Sequence, residues 1–324
     1  MNDLVSVIVL SYKNIDGIYE TLDSILNQDY ENIEIIISDD GTPNFQEELK
    51  LTEYIKVNNK GNITNVVMNV LKNNVGTVKN INSAIGKSSG RYIKLLSAED
   101  CLNSSKALKM YVAFMQENSF KIVFAKMRGV TLEGEYKYEL ASCESNYQML
   151  KKYTTEQTLN RLFKRDFLPA PASFIDRELF EEYGLFREDT RLIEDYPYWI
   201  YLTMNKVKFG YLDEILIDYK MSGSGAGNYS EVFMRDMFTI YEKYIFPYDT
   251  QYGSLQQIYN ALKRAGLNFY VSKAKWNKMS KREKIIVGIK YFPFYMLIEL
   301  QNINMNRKNK KRRKEEIVDE DKNY

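Results

Sequence analysis

Short apolar runs that alternate with helical patterns place the strongest constraint on the fold of this chain. Residues 4–10 and 33–38 are almost uniformly apolar and rich in β-branched side chains, so each run predicts a strand buried on both faces. Between the two runs, apolar side chains recur at helical spacing and predict one buried stripe, formed by Ile18, Leu22, Ile25 and Leu26. Strands joined by helices in this way are typical of βαβ units. The sequence therefore predicts an α/β protein with a mostly parallel sheet flanked by helices.

The same alternation continues along the first half of the chain. Residues 62–71 and 92–96 predict two further strands, and a helix is predicted between them from residue 77 to about residue 87. Apolar side chains then fall on one face of a helix over residues 107–115, before a strand at 121–125. These elements extend the predicted sheet and its helical layers.

The pattern loosens beyond about residue 127, and this change sets the predicted domain organisation. A hairpin-like stretch passes through Gly134, and mixed helices and loops extend to about residue 220. The run Ser-Gly-Ser-Gly-Ala-Gly at 222–227 predicts a flexible link, after which long helical patterns dominate. We therefore expect a first domain at residues 1–221, a helical C-terminal region at 222–306 and a charged, disordered tail at 307–324.

The chain contains no histidine, and this absence limits the chemistry that it can perform. Ser-His-Asp and Cys-His nucleophiles, histidine-rich zinc sites and an imidazole general base are all excluded. Cys101 and Cys143 are too few for a zinc cluster or a disulfide framework, so a reducing compartment is the simpler expectation. Any catalysis must therefore use carboxylates, lysine, tyrosine, hydroxyl groups or a hard metal ion.

The overall charge is nearly balanced, with 45 Lys and Arg against 43 Asp and Glu, which argues against a protein that binds nucleic acid. The N-terminus lacks the basic region of a secretory signal. The best apolar stretch, 285–298, carries Lys290 and is shorter than the roughly 18 residues needed to span a bilayer. We therefore expect a cytoplasmic protein.

The basic excess is local, because residues 307–314 contain seven basic side chains in eight positions. Next to a mixed basic and apolar helix, these charges would favour peripheral contact with anionic lipid at the inner face of the plasma membrane. The alternative is a solvated, disordered tail that residues 315–321 partly neutralise. The sequence leaves both interpretations open.

Four polar clusters lie at positions where ligands bind in doubly wound sheets, at or near the carboxyl ends of strands. Each also has a structural explanation, such as a turn at Asp39-Asp40-Gly41 or a helix cap formed by the acids at 99 and 100. No glycine-rich phosphate loop follows the first strand, which argues against hydride transfer and ATP hydrolysis. The clusters are Ser11-Tyr12, Asp39-Asp40-Gly41, Lys79 with Asn82, and Ser97-Ala98-Glu99-Asp100.

Taken together, the clusters resemble the nucleotide-sugar-binding half of family 2 inverting glycosyltransferases, which have the Rossmann-like GT-A fold. The likeness is carried by VSVIVLSY at 5–12, LDSILNQ at 22–28 and EIIISDDGT at 34–42, in matching order and spacing, and then by Asn74-Val75-Gly76, Asn82, Gly90-Arg91-Tyr92-Ile93 and the acidic cluster. It is specific over residues 4–103, weaker to about residue 220 and absent beyond. The resemblance implies a nucleotide-sugar-binding half at 1–103 and an acceptor half at 104–221.

The resemblance also implies roles for residues on the donor side. Tyr12 would stack on or border the nucleobase, and Asp40 would accept the imide hydrogen of the base, which makes uridine or a similar pyrimidine the natural donor nucleotide. Lys79 would reach toward the phosphates. The predicted nucleotide-sugar-binding residues are Ser11, Tyr12, Asp39, Asp40, Lys79, Asn82 and Glu99.

The acidic cluster departs from the family pattern, because members usually carry Asp-X-Asp where this chain has Ser97-Ala98-Glu99 followed by Asp100. The resemblance implies that Asp100 binds Mg²⁺ or Mn²⁺ bridging the diphosphate and that Glu99 faces the ribose or the metal shell. Such an ion prefers oxygen ligands and neutralises the charge of the departing diphosphate. With one carboxylate ligand, metal affinity is expected to be weak until the donor binds.

The segment 191–199 resembles the Glu-Asp motif on the acceptor side of the family, with Asp195 matching the catalytic base and Glu194 beside it. Pro197 fits the first turn of a helix, so Asp195 is predicted at or just before the helix N-terminus, where a carboxylate is favoured. An ordinary helix cap is the alternative. The resemblance places residues 169–173 near the acceptor pocket; the alternative is a rigid linker. It also implies that residues 222–227 form a lid over the donor, and the alternative is an ordinary flexible link.

These inferences predict a metal-dependent inverting glycosyltransferase of the hexosyltransferase type. It would transfer a sugar from a UDP-sugar or similar nucleotide-sugar to a hydroxyl group of a glycan or lipid-linked acceptor, in surface polysaccharide synthesis of a bacterial type, such as that of a capsule. Two alternatives stay open. A nucleotidyltransferase would normally show an early glycine-rich signature, and a non-catalytic nucleotide-sugar-binding subunit is compatible with the altered acidic cluster.

Overall fold

The structure, a computed structural model, describes residues 3–130, 136–139, 149–220, 230–251, 279–286 and 289. The chain divides into two compact units, Met1–Ile240 and Tyr241–Tyr324. The described part of the second unit contains a π-helical turn at Tyr241–Ile245, a 3-10 helix at Phe246–Gln251 and a helix at 281–286. The sheet and all candidate site residues belong to the first unit.

Among the described residues, nine strands form one mixed sheet in the order β3-β2-β1-β4-β8-β6-β9-β5, with β7 paired to β6. The pairs β1–β2, β1–β4, β2–β3 and β6–β9 are parallel, and the other pairs are antiparallel. The strands are β1 (Val5–Ser11), β2 (Ile33–Asp39), β3 (Ile63–Val70), β4 (Tyr92–Ser97), β5 (Cys101–Leu102), β6 (Ile122–Val130), β7 (Tyr136–Glu139), β8 (Ser173–Asp176) and β9 (Gly210–Lys220).

The helices connect these strands and cover the sheet. The predicted stripe of α1 is buried, since Ile18, Leu22, Ile25 and Leu26 are each 2% exposed or less. This burial removes apolar surface from water and fixes the helix against the sheet. The helices are α1 (Ile18–Leu26), α2 (Glu48–Asn58), α3 (Thr77–Lys87), α4 (Ala107–Asn118), α5 (Thr155–Leu162), α6 (Arg177–Tyr183), α7 (Asp195–Met204) and α8 (Glu231–Ile240).

The predicted α/β architecture is confirmed, and the predicted strands of the first half match β1, β2, β3, β4 and the start of β6 within a few residues. The helix predicted at 77–87 is α3. The hairpin prediction is also confirmed by the antiparallel pairing of β6 with β7, although residues 131–135 lie outside the described part. The sequence pattern therefore identifies the parallel half of the sheet reliably.

Some elements of the structure were not predicted from the sequence, namely α2, β5, β8 and β9. Helix α2 has only Leu51 and Ile55 buried, so its apolar pattern is weak. Strand β9 lies where mixed helices and loops were expected. Its pairing with β6 shifts register on either side of Lys126, which interrupts the alternation of apolar and polar positions that identifies a strand.

The first compact unit extends beyond the predicted domain boundary at residue 222 and includes α8. The link at 222–227, the tail at 307–324 and most of the predicted C-terminal helical region lie outside the described residues. Where the chain is described, its helices are too short or too polar to span a membrane.

A buried carboxylate joins the first two strands to the start of the fourth. Glu34 is fully buried on β2 and accepts hydrogen bonds from Ser6 Oγ on β1 and from the amides of Ser89 and Gly90. A Cβ atom at Gly90 would lie 2.4 Å from Ser6 Oγ, so this close approach requires glycine. Burial would raise the pKa of Glu34, but these hydrogen bonds lower it below its usual value.

We expect Glu34→Ala to lower the free energy of unfolding by about 3 kcal/mol, because it leaves buried donors without an acceptor. Urea denaturation at pH 7 measures this loss, with the exposed Glu53→Ala as the matched control. Since the folded-state pKa is lowered, the contribution of Glu34 is present above the unfolded pKa and declines as the pH falls below about 4. Equal stability of the two variants at pH 7 would contradict the prediction.

Candidate functional site

A cavity of about 560 Å³ lies at the carboxyl ends of β1, β2 and β4. Parallel pairing brings these ends to one edge, since Ser11 pairs with Asp39 and Leu10 pairs with Ser97. Five of the predicted site residues line this cavity together, namely Ser11, Tyr12, Asp40, Glu99 and Asp100. The structure thus gathers residues that are up to 89 positions apart in sequence.

Asp40 faces the cavity while its carboxylate holds the neighbouring loop in place. Its two oxygens accept hydrogen bonds from the amides of Val75 at 2.7 Å and Gly76 at 3.0 Å. Gly76 adopts a positive φ of 95°, which favours glycine. A carboxylate offers about four lone-pair sites, so Asp40 retains the capacity to accept a further hydrogen bond from a ligand.

The neighbouring Asp39 does not line the cavity. It is fully buried and accepts hydrogen bonds from Ser11 Oγ at 2.8 Å, from the Thr42 amide at 2.7 Å and from Thr42 Oγ1 at 2.7 Å. The Asp39 side chain therefore stabilises the turn at 39–42, which is the structural role that the sequence analysis gave as the alternative. Its hydrogen-bond partner Ser11 does line the cavity.

Tyr12 is 41% exposed, so an aromatic surface is available at the cavity. The Nζ of Lys13 lies 5.0 Å from the centroid of the Tyr12 ring. An aromatic ring with an adjacent cation suits a nucleotide, because the ring can stack on the base and the cation attracts the phosphate groups.

The structure does not bring Lys79 and Asn82 into the cavity. Lys79 Nζ lies 3.8 Å from Glu188 Oε2 at the surface, and Asn82 Nδ2 donates to the carbonyl oxygen of Phe186 at 2.9 Å. Both side chains therefore connect α3 to the 186–188 segment. The same helix presents Thr77 and Asn80 to the cavity instead.

Asp100 is the most deeply buried acid of the cavity. Its Oδ1 accepts a hydrogen bond from the Lys220 amide at 3.1 Å, and its Oδ2 is buried without a hydrogen-bond partner in the described structure. Burial raises the pKa of Asp100 to about 7, and the amides of Lys220 and Ser97 partly offset this effect. An unsatisfied buried carboxylate oxygen needs a partner, which a bound ligand would supply.

Glu99 adopts a positive φ of 88°, a conformation that is uncommon outside glycine. The Glu99 amide donates to Thr21 Oγ1 at 2.9 Å, which holds this turn against α1. A Cβ atom at Gly17 would lie 2.2 Å from Glu99 Cγ, so a larger residue at position 17 would clash with the Glu99 side chain. The strained turn fixes the direction of Glu99 beside Asp100.

These residues fit a divalent ion that the protein holds through few ligands. The unpartnered Asp100 Oδ2 is a hard oxygen donor, which Mg²⁺ and Mn²⁺ prefer. Within the described ranges, no group of three or more His, Cys, Asp or Glu side chains is arranged to hold a metal. A bound ion would therefore need further ligands from a substrate, as the sequence predicts.

A second cavity of about 630 Å³ adjoins the first, because Thr77, Ser97 and Tyr219 line both. Its walls include Glu194 and Asp195 at the start of α7. The structure thus places the predicted acceptor-side acids in a cavity that shares these three lining residues with the cavity of Asp40 and Asp100.

Asp195 is the first residue of α7, as predicted from Pro197. Its Oδ1 accepts from the Tyr196 amide at 2.7 Å, and its Oδ2 accepts from the Ala170 amide at 3.1 Å. Burial raises the pKa of Asp195 to about 6, and these amides limit the rise. The side chain therefore changes its ionisation close to neutral pH, which suits a general base.

The segment 169–173 lies beside Asp195 and forms a 3-10 turn at Ala170–Ala172. The buried Lys94 on β4 supports this turn, because its ammonium group donates to the carbonyl oxygens of Pro171 and Ser173. Burial lowers the pKa of Lys94 to about 7. The segment therefore belongs to the wall of the second cavity.

Glu194 lines the same cavity and is half-buried. Burial and the charge of Asp195 raise the pKa of Glu194 well above its usual value. Because Asp195 accepts two backbone amides, it is the better stabilised member of the pair in the ionised form.

Several lining residues were missed at the sequence level. Asp166 joins the two acids in the second cavity, and Lys220 lies at the end of β9 beside Asp100, with its Nζ 2.7 Å from Glu20 Oε2. Phe233 and Met237 come from α8. For Phe233 and Met237, the sequence signal is their helical spacing on α8. Lys220 could not be found in this way, because β9 was not predicted.

Residues 6–184 match a protein family described as Glycosyl transferase family 2. A protein of Rickettsia bellii (strain RML369-C), named as an uncharacterized glycosyltransferase, is 28% identical over 211 residues. That match covers 65% of this chain and 28% of the relative, so the chain spans less than a third of the relative's length.

Two solved structures show the same fold. TarS 1-349 of S. aureus in complex with UDP-GlcNAc has a TM-score of 0.57 at 19% identity, covering 88% of this chain and 79% of that one. The mannosyltransferase PcManGT from Pyrobaculum calidifontis, in complex with GDP-Man and Mn²⁺, has a TM-score of 0.56 at 14% identity, covering 89% and 79%. The predicted GT-A fold is thereby confirmed.

The carboxyl group of Asp195 is expected to titrate with a midpoint of about 6, because its burial outweighs the two amides that stabilise its ionised form. Carbon-13 NMR of protein labelled at the aspartate carboxyl carbons measures this midpoint, and Asp195→Asn identifies the resonance. Asp213 is the internal control, since its hydrogen bonds from Tyr211 and Lys126 lower its pKa to about 2. A midpoint near 4 for Asp195 would refute the electrostatic argument.

Proposed function

Because the chain belongs to glycosyl transferase family 2, we propose that it is a metal-dependent, inverting hexosyltransferase. It transfers a sugar from a UDP-sugar, or a similar nucleotide-sugar, to a hydroxyl group of a glycan or lipid-linked acceptor. One observation carries the proposal: Asp40 and Asp100 share a cavity that adjoins the cavity of Asp195. The two cavities thus provide separate spaces for a donor and an acceptor.

The donor occupies the first cavity. Tyr12 stacks on or borders the base, and Asp40 accepts the imide hydrogen of a uracil while its carboxylate is held by the Val75 and Gly76 amides. The S. aureus neighbour holds UDP-GlcNAc, and the P. calidifontis neighbour holds GDP-Man, which supports a nucleoside diphosphate sugar as the donor class. Ser11 and Glu99 lie beside the expected ribose and phosphate positions.

Asp100, with Glu99 beside it, would hold Mg²⁺ or Mn²⁺. When bound, such an ion neutralises the negative charge that develops on the departing diphosphate. The Mn²⁺ of the P. calidifontis neighbour supports a divalent ion, and the unpartnered Oδ2 of Asp100 supports its position. Lys220 also lines this cavity, and its ammonium group is paired with the carboxylate of Glu20.

Asp195 acts as the general base for the acceptor hydroxyl. The acceptor oxygen forms a bond to the anomeric carbon while the bond from that carbon to the diphosphate oxygen breaks, and the electron pair leaves with the nucleoside diphosphate. The hydroxyl proton passes to Asp195. A carboxylate with a pKa of about 6 suffices, because the hydroxyl becomes acidic as the new bond forms. Attack from the face opposite the leaving group inverts the configuration.

We also propose a role in the synthesis of a surface polysaccharide, with the protein at the inner face of the plasma membrane. The seven basic side chains at 307–314 support contact with anionic lipid. A lipid-linked oligosaccharide at the same surface is then a natural acceptor.

We expect Asp195→Asn to lower kcat for sugar transfer by about 10²- to 10⁴-fold, because the amide cannot accept the hydroxyl proton. Its affinity for UDP should stay unchanged, because Asp195 lies in the second cavity. Transfer is measured as UDP release with a panel of UDP-sugars and Mn²⁺, and binding is measured by calorimetry. The exposed Asp29→Asn is the control.

Two outcomes would count against this assignment. If wild-type protein binds UDP but neither hydrolyses nor transfers any sugar of the panel, the protein is a binding subunit rather than an enzyme. If Asp195→Asn retains the wild-type kcat, the base lies elsewhere.

Mn²⁺ is expected to increase the thermal stabilisation that UDP gives to the wild-type protein. A ligand at 100 times its dissociation constant stabilises a protein by about 2.7 kcal/mol, so tighter binding appears as a higher Tm. Asp100→Asn should abolish the Mn²⁺-dependent part of the shift while leaving the part that UDP produces alone. An unchanged Mn²⁺ effect in this variant, with Asp29→Asn as the control, would contradict the role of Asp100.

A further inference from the structure

Helix α8 contributes one wall of the second cavity. Phe233 and Met237 lie four residues apart, on the same face of the helix, and both line the cavity that contains Glu194 and Asp195. The match to the family ends at residue 184, so neither α8 nor the two acids fall within it.

Asp236 lies on α8 between these two residues and is 6% exposed. Its Oδ2 accepts hydrogen bonds from three consecutive backbone amides, those of Arg191 at 3.0 Å, Leu192 at 2.6 Å and Ile193 at 3.3 Å. Successive amides that converge on one anionic oxygen form a strong, charge-assisted contact. This contact fixes the turn that immediately precedes Glu194 and Asp195 to the helix that carries Phe233 and Met237.

The same turn is also connected to the donor cavity. The guanidinium group of Arg191 donates to the carbonyl oxygen of Asn74 at 2.9 Å, and the Gly76 backbone lies so close that a Cβ atom there would be 2.4 Å from Arg191 Cγ. The amide of Gly76 in turn donates to Asp40. The 191–193 turn therefore connects the loop that contacts Asp40, the residue proposed to bind the nucleobase, with helix α8, which lines the second cavity.

The charges of the second cavity restrict what it can bind. Asp166, Glu194 and Asp195 supply carboxyl groups, while Arg165 is the basic residue among its described lining. Burial raises the pKa values of Asp166 and Glu194 well above their usual range, so the negative charge of this cavity rests chiefly on Asp195, which accepts two backbone amides. This charge repels a phosphate group, more strongly where water is partly excluded. The rest of the lining is largely apolar, which suits the apolar face of a sugar ring or an apolar aglycone.

We propose that α8 forms the acceptor-binding wall of the second cavity, where Phe233 and Met237 contact an uncharged glycoside and Asp236 is a positioning residue for the turn that leads to Asp195. This inference rests on the proposed transferase function and adds the chemical class of the acceptor. It predicts that a glycoside with an apolar aglycone binds better than the same sugar carrying a phosphate.

Saturation-transfer NMR with UDP-loaded protein tests the binding wall. The probes are the p-nitrophenyl β-glycosides of glucose, galactose, mannose and N-acetylglucosamine, and the matching sugar 1-phosphates. At least one glycoside should bind. The matching sugar 1-phosphate should bind with an affinity that is at least about fivefold lower. Phe233→Ala should weaken the glycoside about tenfold, because it removes apolar contact area, whereas Val232→Ala on the exposed side should not.

The role of Asp236 is tested by its own pair of variants. Asp236→Ala removes the acceptor of three amides and should lower kcat for transfer about tenfold or more at unchanged affinity for UDP. Asp236→Asn retains a side-chain oxygen and should recover most of that loss. If Asp236 had a merely structural role, Asp236→Ala would lower Tm and UDP affinity together, and kcat would not fall separately from UDP affinity.

The proposal is overturned if UDP binds but none of the four glycosides does, if a 1-phosphate binds as well as its glycoside, or if Phe233→Ala leaves glycoside affinity unchanged. It is also overturned if Asp236→Ala keeps the wild-type kcat. Absence of UDP binding or donor hydrolysis in the wild-type protein would instead count against the transferase function itself, so the two failures are distinguishable.

Discussion

Parallel pairing of β1 with β2 and β4 is the constraint on which the site depends. In parallel strands the carboxyl ends meet at one edge, so the residues that follow each strand are brought together however far apart they lie in sequence. The buried Glu34 carboxylate secures this arrangement at the opposite end, where it joins β1, β2 and the entry to β4 through hydrogen bonds. The sheet thus presents Asp40 and Asp100 to one cavity, although both side chains are buried.

The parallel half of the sheet could be predicted because its strands are buried on both faces and its helices carry clear apolar stripes. The resemblance assigned the base contact to Asp40, but sequence alone did not show that the neighbouring Asp39, the last residue of β2, turns away from the cavity. The structure separates them through the Thr42 hydrogen bonds of Asp39 and the loop amides held by Asp40. Lys79 and Asn82 illustrate the same limit, because helical spacing places them on α3 but does not reveal which face meets the cavity.

The acceptor side was less accessible to sequence analysis. Asp195 was predicted from a local motif and from Pro197, and the structure places it at the start of α7 in a cavity that adjoins the donor side. Strand β9 was not predicted because its irregular pairing with β6 disturbs the alternation of apolar and polar side chains. The cavity-lining residues Tyr219 and Lys220, at the end of this strand, were therefore missed as well. The contact of Asp236 with three amides joins segments some 45 residues apart, and no sequence pattern reports such a contact.

The serine at position 97 has a consequence for how the two cavities communicate. Related proteins usually carry the first acid of their acidic pair at this place, whereas here a small hydroxyl side chain lies on the boundary that both cavities share. The boundary between the cavities thus carries a small neutral side chain instead of a fixed negative charge. Ser97→Asp would place a second carboxylate beside Asp100 and would narrow the space where the two cavities adjoin.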